Sequence, residues 1–270
     1  MPELPEVETV AKGLSGPLSG RTIDAARIYR RDLYRTGSLP LKRLDGAKVI
    51  TVERFGKAIL FRTVPPAPVL VVHLGMTGSL LIERGPRLPR KHRHAVLVLD
   101  NGVRVEYIDA RRFGYLWAGP YEGLGARLNI GPDPFELTGA GLKRRLEGRR
   151  APVKSLLLNQ ALVAGLGNIY TDEILFEARI HPLTAGSVAA MDAAGILRHA
   201  RAVLRRAVDS GGTTIRDYRK SDGTSGEFQR ELAVYARTGE PCRRCGTAVE
   251  RIVISARSTH FCPHCQKYRR

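Results

Sequence analysis

The four cysteines of this 270-residue chain all lie in its last thirty residues, and their spacing is the strongest constraint on what it can fold into. Cys242 and Cys245 form one C-x-x-C pair, and Cys262 and Cys265 form a second after sixteen intervening residues. Two such pairs can direct four thiolates at one tetrahedral zinc ion; two disulfides or four buried thiols are the alternatives. Zinc is favoured in a chain without a visible secretory signal. Because four cysteines close the coordination sphere, we expect one structural Zn²⁺ ion.

The segment between the two cysteine pairs, GTAVERIVISARSTHF, alternates apolar and polar residues. This alternation predicts a β-hairpin clamped by the zinc ion. Arg257 would lie near the end of the hairpin, where its guanidinium could hold a phosphate through two hydrogen bonds. Taken alone, Arg257 is equally consistent with a solvated surface arginine.

The chain carries a large excess of positive charge. Lys and Arg number 44 against 26 Asp and Glu, which gives a formal net charge of +18. Such an excess attracts polyanions, and its clustering in the tail favours contact with nucleic acid over an unrelated cationic surface, as in some ribosome-associated or halotolerant proteins. No stretch approaches the roughly 18 consecutive apolar residues of a membrane span. We therefore expect a cytosolic protein without membrane contact.

The first half of the chain has the pattern of an antiparallel β-structure. Residues 46–54, 57–63 and 68–73 are short apolar runs bounded by Gly or Pro, which is typical of strands. Residues 94–108 consist of two alternating runs around Asn101-Gly102, a pair that favours a hairpin with a type I′ turn. Several such strands predict a β-sandwich or barrel, and a helix is expected ahead of them at the N-terminus.

The pattern changes to helices after the GPDP sequence at residues 131–134. Helical periodicity is expected over 153–162, 169–178 and 187–209. The glycines around Asn168 in Gly165-Leu166-Gly167-Asn168 allow close approach of a phosphate to a helix N-terminus, although an ordinary interhelical turn is an equal alternative. Together with the strand-rich half, these helices predict an α+β multidomain fold.

The N-terminus could supply a nucleophile. The small side chain of Pro2 permits removal of Met1, which would leave a secondary amine at the start of the chain. Free α-amines titrate below lysine, so more of the group is nucleophilic near neutral pH. Glu3 stands beside it as a candidate general acid/base. Taken alone, Met-Pro-Glu is equally a common helix start.

Seven stretches, taken together, give the chain a family resemblance: MPELPEVETV at the N-terminus, RFGKAIL around Lys57, HLGMTGSL at 73–80, DARRFG at 109–114, GLGNIYTDE at 165–173, and the tail segments TGEPCRRCGT and THFCPHCQ. In this order the chain resembles the bacterial formamidopyrimidine-DNA glycosylases. The resemblance implies three segments. An N-terminal catalytic antiparallel β-sandwich with flanking helices is expected over 1–131, a helix–two-turn–helix DNA-binding domain with a lesion-covering loop over 132–228, and a Cys₄ zinc-ribbon hairpin over 229–270.

The resemblance also implies a reaction, the bifunctional glycosylase and AP lyase chemistry of base excision repair. Pro2 would attack the sugar C1′ of an 8-oxoguanine or formamidopyrimidine nucleotide in duplex DNA and form a Schiff base, after which β,δ-elimination nicks the strand. Glu3 would move protons at that sugar, Lys57 would assist elimination, and Arg257 would assist the second elimination. Chemistry at C1′ requires the nucleotide to leave the base stack.

A further set of residues matches the family's DNA contacts. Met76, Arg111 and Phe113 would fill the gap left by the extruded base, and His73, His92, Arg150, Lys154 and Asn168 would contact the DNA. The chain departs from the family pattern at Ala110, where Pro is frequent, and at Arg93, where an acidic residue is common. The resemblance implies a bacterial, nucleoid-associated monomer that binds oxidised purines or abasic sites in double-stranded DNA. Two alternatives remain: an endonuclease VIII-like enzyme that prefers oxidised pyrimidines, and a zinc-dependent DNA-binding protein without catalysis.

Overall fold

A computed structural model of the chain describes residues 1–85, 90–215 and 218–268. These residues form two compact units, Met1–Leu124 together with Val208–Gln229, and Gly125–Ala207 together with Arg230–Arg270. The segment 208–228, which the sequence groups with the helical module, thus lies in the N-terminal unit. The division into three segments at residues 131 and 228 stays a prediction.

The first unit is a sandwich of two four-stranded sheets with a helix, α1 (Leu4–Leu18), packed against one of them. The strand order is β1-β6-β7-β5 in one sheet and β2-β3-β4-β8 in the other, and all neighbouring strands are antiparallel. This confirms the expected antiparallel β-sandwich. The strands are β1 (Ile23–Ile28), β2 (Val49–Phe55), β3 (Ala58–Thr63), β4 (Val69–His73), β5 (Ser79–Glu83), β6 (Arg93–Leu99), β7 (Arg104–Ile108) and β8 (Tyr115–Gly119).

The core of the first unit lies between the two sheets. Phe61 and Val72 come from one sheet and Leu97 and Val105 from the other, while α1 contributes residues such as Leu14. The first and fourth residues of β1 and of β2 are buried, whereas most residues of β6 are buried. Buried apolar area on both sheets and on α1 is the main stabilising contribution to this unit.

The strand register brings four connections to one edge of the sandwich. Ala58 of β3 pairs with His73 of β4, and His73 pairs with Tyr115 of β8. The β2–β3 turn, the β4–β5 connection and the β7–β8 connection therefore meet at this edge. In the second sheet Arg93 pairs with Ile108, so the start of β6 reaches the same edge. Most of the residues proposed for the N-terminal site lie in these connections.

The β6–β7 hairpin forms as expected, but its turn is not the predicted type I′. Only Gly102 has a positive φ, of 76°, whereas a type I′ turn also requires one at Asn101. The carboxamide of Asn101 instead accepts a hydrogen bond from the Val103 N–H at 3.1 Å. The Gly102 N–H donates to the Leu99 carbonyl at 2.9 Å, as in a type I turn that ends in a left-handed glycine.

The second unit consists of short helices and a two-stranded hairpin. The predicted helix 153–162 ends early because the Asn159 side chain accepts a hydrogen bond from the Ala161 N–H at 3.0 Å and starts a turn. The predicted helix 187–209 is interrupted at 190–192, where Asp192 accepts from the Gly195 N–H at 3.1 Å. Over the described ranges, no helix is both long and apolar enough to cross a membrane. The elements are α2 (Leu124–Leu128), α3 (Gly139–Leu146), α4 (Val153–Leu158), α5 (Asn168–Glu177), α6 (Gly186–Ala189), α7 (Ala193–Asp209), β9 (Glu250–Ile254) and β10 (Arg257–Phe261).

Candidate active site and zinc centre

The start of α1 fixes the backbone beside Pro2. Pro2 and Glu3 are both buried, and Glu3 is the N-cap residue of the helix. The Glu3 N–H donates to Glu6 Oε2 at 2.8 Å, while the Glu3 side chain accepts from the Glu6 N–H, which makes a reciprocal capping box. The residue that follows the candidate nucleophile is therefore held by the first turn of a helix.

The same Glu6 carboxylate also binds the segment near residue 213. Its Oε1 atom accepts a hydrogen bond from the Thr213 N–H at 2.7 Å. The Tyr218 hydroxyl lies 3.2 Å from both the Glu6 and the Gly211 carbonyl oxygens, and burial raises its pKa above the ordinary value. Residues 216–229 match the family segment that covers the extruded base, and Tyr218 of that segment is thus anchored to the helix that begins beside Pro2. Residues 216–217 of that segment lie outside the described residues.

Lys57, in the β2–β3 turn, and His73, at the end of β4, lie at the shared edge. Lys57 is only 8% exposed, and it follows Gly56, whose φ is 61°. His73 stacks on Tyr115 with ring centroids 4.9 Å apart, and its Nδ1 atom accepts from the Gly75 N–H at 3.1 Å. Burial, and after it the positive charge of Lys57, lower the pKa of His73 to about 4. His73 is therefore neutral at neutral pH and adds no second positive charge beside Lys57.

Asp109 holds two of the edge connections together, and the sequence did not single it out. Its Oδ1 atom accepts from Thr77 Oγ1 at 2.5 Å, and its Oδ2 atom accepts from the Tyr107 hydroxyl at 3.0 Å and the Gly114 N–H at 2.9 Å. Burial raises the pKa of Asp109, but these hydrogen bonds, with one from the Arg111 N–H, outweigh burial, and the net pKa lies below its ordinary value. An ionised carboxylate therefore joins residues 77 and 109–114.

Three side chains project from the connections that Asp109 joins. Met76 is 41% exposed and Phe113 is 55% exposed, which is unusual for such large apolar groups. The Arg111 guanidinium lies 4.5 Å from the centroid of the Phe113 ring. Gly75, with φ of 64°, lets the two backbones touch, because a Cβ there would lie 2.4 Å from the Gly114 nitrogen. The structure thus brings together the three residues proposed to fill the gap in the DNA.

His92 stands exposed beside these connections with a positive φ of 62°. Its carbonyl accepts from the Asp109 N–H at 3.1 Å, which ties it to the same network. The next residue, Arg93, is the position that departs from the family pattern. Its guanidinium donates to the buried Glu106 at 2.9 Å, so the departure is compensated by an ion pair.

The four cysteines of the second unit converge as predicted. Their sulfur atoms all lie within 4.8 Å of one another. Cys245 and Cys262 are 3.5 Å apart at Sγ, and Cys242 and Cys265 are 4.0 Å apart, both too far for a disulfide. Tetrahedral zinc with bonds of about 2.3 Å requires sulfur separations near 3.8 Å, which these values fit. The cluster is a site for one structural zinc ion, and the disulfide alternative is wrong.

The remaining residues expected to contact DNA lie in the second unit and differ in their exposure. Arg150, just before α4, is exposed and available to a phosphate. Lys154 is completely buried, and its Nζ atom pairs with Asp172 at 2.7 Å. The expected contact of Lys154 with DNA stays a prediction, and the burial of its side chain argues against that contact. Asn168 begins α5 and is half-buried, whereas Arg257 begins β10 and is exposed.

Glu173 is a second residue that sequence reasoning missed. It is buried, and its carboxylate accepts three backbone hydrogen bonds, from the N–H groups of Ala233, Val234 and Tyr235 at 2.8, 3.0 and 2.9 Å. Burial raises its pKa, and these bonds oppose the rise. An available signal was the acidic pair Asp172-Glu173 in an otherwise apolar helix, since buried charges require partners.

Comparisons with known proteins agree with this architecture along the whole chain. Three family models match in chain order: the formamidopyrimidine-DNA glycosylase N-terminal domain over residues 1–116, the H2TH domain of the same enzymes over 130–219, and the zinc finger found in FPG and IleRS over 239–267. The formamidopyrimidine-DNA glycosylase of Cereibacter sphaeroides is 43% identical, with 99% of this chain and 100% of that protein covered. The corresponding protein of Symbiobacterium thermophilum is 45% identical, with 98% and 89% covered.

Solved structures give the same result. The crystal structure of the MutM (FPG) protein from Thermus thermophilus has a TM-score of 0.86 at 39% identity and covers 100% of both chains. A Lactococcus lactis FPG mutant in complex with Fapy-dG-containing DNA has a TM-score of 0.87 at 33% identity, covering 98% of this chain and 100% of that one. The sandwich, the helix pair and the zinc hairpin thus define the class of DNA glycosylases with an H2TH domain. Within that class, the chain belongs to the formamidopyrimidine-DNA glycosylase family.

Proposed function

We propose that this protein is a bifunctional DNA glycosylase and AP lyase of base excision repair, which removes oxidised purines from duplex DNA. The observation that carries the proposal is the Pro2-Glu3 pair, buried and fixed by the capping box at the start of α1. Removal of Met1 turns the Pro2 nitrogen from an amide into a free secondary amine. A rigid backbone beside that amine favours attack because little freedom is lost on reaction.

The reaction begins when the Pro2 nitrogen attacks C1′ and the bond from C1′ to the damaged base breaks. Glu3, buried beside it, is placed to exchange protons with the opening sugar. The iminium that forms acidifies the C2′ hydrogen. Loss of that proton breaks the C3′–O bond, and a second elimination breaks the C5′–O bond. Lys57 assists the first elimination and Arg257 the second.

Base extrusion requires a replacement for the lost base in the duplex. Met76, Arg111 and Phe113 suit this role because a thioether wedges, a guanidinium hydrogen-bonds and an aromatic ring stacks. All three side chains are exposed, and Asp109 holds the backbone that carries them through its bonds to Thr77 and Gly114. They are therefore accessible to DNA. His73 and His92 border this group, and Arg150 adds a phosphate contact from the second unit. The curated relatives are bacterial, and we accordingly place the protein on a bacterial chromosome in the cytoplasm.

The relatives support the proposed function over the two alternatives, an endonuclease VIII-like enzyme and a DNA-binding protein without catalysis. Eight curated relatives, 40–45% identical to this chain, are all named formamidopyrimidine-DNA glycosylase, which supports oxidised purines over oxidised pyrimidines as the substrate class. The structural relatives include complexes with DNA that contains Fapy-dG or an abasic site. A zinc-dependent binding protein without catalysis would give no role to a buried Pro2-Glu3 pair.

Borohydride trapping tests the nucleophile directly. Enzyme incubated with an 8-oxoguanine duplex and reductant should form a covalent adduct, and mass spectrometry should place the crosslink on Pro2. Pro2→Gly should weaken trapping greatly, and a chain with an extra residue ahead of Pro2 should not trap at all. Pro5→Ala is a matched control, because Pro5 lies in the same first turn and should leave trapping unchanged. A crosslink on an internal lysine overturns the mechanism, and faster excision of thymine glycol than of 8-oxoguanine overturns the substrate class.

A further inference from the structure

The tip of the zinc hairpin presents Arg257 in a defined direction. Ser255 and Ala256 form the turn between β9 and β10, and both have left-handed φ values, of 49° and 57°. Such a two-residue turn is of the kind that matches the twist of a hairpin. Arg257 is the first residue after the turn, and its side chain is exposed. The direction of the Arg257 side chain therefore depends on the orientation of the backbone at the hairpin tip.

The residue after Arg257 is held by two side chains from the helix pair. The Ser258 carbonyl oxygen accepts from Lys154 Nζ at 3.0 Å and from Asn168 Nδ2 at 2.8 Å. Lys154 cannot swing away freely, because it is fully buried and paired with Asp172. Both residues that the family pattern assigns to DNA phosphates therefore donate to the backbone of the hairpin in this structure.

The orientation of the Asn168 carboxamide supports this assignment. Its Oδ1 atom is buried and has no hydrogen-bond partner among the described residues. Flipping the amide would place two acceptor oxygens, Asn168 Oδ1 and the Ser258 carbonyl, against each other, so the observed orientation is the favoured one. The carboxamide therefore meets the hairpin through Nδ2, with Oδ1 turned away from the Ser258 carbonyl.

Two more contacts hold the hairpin on either side of Arg257. The Ser155 and Ser255 hydroxyls are 2.8 Å apart, which links α4 to the turn. Asp172 Oδ2 accepts from the His260 N–H at 2.9 Å, which links α5 to β10. Contacts from α4 and α5 therefore reach the chain both before and after Arg257.

We propose that Asn168 and Lys154 are positioning residues for Arg257, which they orient through the Ser258 carbonyl for the second elimination. The inference rests on the proposed function. In that step the C4′ proton is removed, the C5′–O bond breaks, and the electron pair leaves with the phosphate on the 5′ side of the sugar. A guanidinium that hydrogen-bonds to this phosphate stabilises the departing charge. The first elimination does not need this guanidinium, so misplacing it changes the ratio of the two products.

Product analysis on an abasic-site duplex tests the proposal with the full zinc-loaded protein in excess over DNA. Strands cut by β-elimination alone end in an unsaturated aldehyde, whereas β,δ-elimination leaves a 3′-phosphate. We expect Asn168→Ala to slow conversion of the first product to the second about fivefold, the effect of one hydrogen bond. The second step should slow more than the first cut, and the zinc content should stay as in the unmodified protein. Ser187→Ala, at an exposed serine on α6, is the control and should change neither product.

Arg257→Ala provides the reference that separates two kinds of failure. If Arg257→Ala leaves the product ratio unchanged, the proposed role of Arg257 fails and the positioning role fails with it, while trapping on Pro2 is unaffected. If Arg257→Ala shifts the ratio but Asn168→Ala does not, the positioning role alone is overturned. In that case weaker DNA binding with a shallower salt dependence in Asn168→Ala identifies a direct phosphate ligand.

Discussion

Thr77 donates a hydrogen bond to Asp109 across the edge of the β-sandwich, with 2.5 Å between Thr77 Oγ1 and Asp109 Oδ1. This bond joins the β4–β5 connection, which carries Met76, to the β7–β8 connection, which carries Arg111 and Phe113. Each connection runs from one sheet to the other. The three exposed side chains therefore stand on backbone that is fixed at two points rather than on independent loops.

Thr77→Val should lower the free energy of unfolding of the first unit by about 1–3 kcal/mol. Valine keeps the shape of threonine but removes a donor from a buried carboxylate, and an unsatisfied buried group costs about this much. Urea unfolding followed by tryptophan fluorescence measures the change, since Trp117 lies in β8. Thr51→Val on β2 is the control, because Thr51 is half-buried like Thr77 but its hydroxyl lies 3.3 Å from the Ser15 hydroxyl rather than on a buried carboxylate, and it should change stability by less than about 0.5 kcal/mol. Equal effects in the two variants would contradict a special role for the Thr77–Asp109 bond.

The half-buried His73 should make the free energy of unfolding depend on pH in an acidic window. Its pKa is about 4 when folded against an ordinary value of 6.5, so the folded state binds fewer protons than the unfolded state between these values. The stabilising contribution is complete above pH 6.5 and falls as the pH drops towards 4, by at most about 3 kcal/mol. His73→Gln, which accepts a hydrogen bond but does not titrate, should flatten this part of the stability curve. A variant curve parallel to the original would show that His73 does not titrate as described.

Loss of Lys154 should be among the most damaging changes in the second unit. Lys154→Met leaves the Asp172 carboxylate buried without its cation, which costs about 3–5 kcal/mol. The double variant Lys154→Met with Asp172→Asn removes the charge as well and should recover part of the loss. Thermal unfolding of the zinc-loaded protein measures both. A double variant no more stable than the single one would show that the buried charge is not the cause.

Removal of zinc should release the hairpin without unfolding the β-sandwich. The cysteines pack with Phe176 and Val249 in a small apolar cluster, and the metal is the main constraint on the four thiolates. Chelation should therefore abolish DNA affinity and raise hydrogen exchange in β9 and β10, while exchange in β2–β4 stays slow. Full activity of a metal-free preparation would contradict a structural role for zinc.

The sequence predicted the features that depend on local pattern. The C-x-x-C pairs fixed the zinc site, because thiolate spacing is set by geometry that needs no tertiary contact. Short apolar runs bounded by Gly or Pro predicted β2, β3 and β4, and the alternating runs around Asn101-Gly102 predicted β6 and β7. The motifs around Met76 and Phe113 indicated exposed connections, as the flanking glycines suggested. The roles of Pro2, Glu3 and Lys57 were implied by family resemblance and stay predictions.

The features that sequence reasoning missed depend on long-range partners. Asp109 was one residue of the DARRFG motif until the register placed Thr77 and Tyr107 beside it. The family resemblance implied that Lys154 contacts DNA, and its buried partner Asp172, eighteen positions away, could not be found from local pattern. The turn at Asn101 differed because the asparagine side chain competed for a backbone N–H.

The Glu6 carboxylate, with one oxygen on Glu3 and the other on Thr213, sets where this chain can tolerate a change in length. Insertions next to Thr213 or Tyr218 would pull a backbone N–H or a hydroxyl away from an acceptor on α1. Ser221 is also tied down, because it is buried and its carbonyl accepts a hydrogen bond from the Ile82 N–H of β5. The tip at 222–224 beyond it is exposed, and the Lys220–Thr224 hydrogen bond closes the reversal there. Lineages that adapt this enzyme to new lesions have room to lengthen the chain there, with the N-terminal amine left in place.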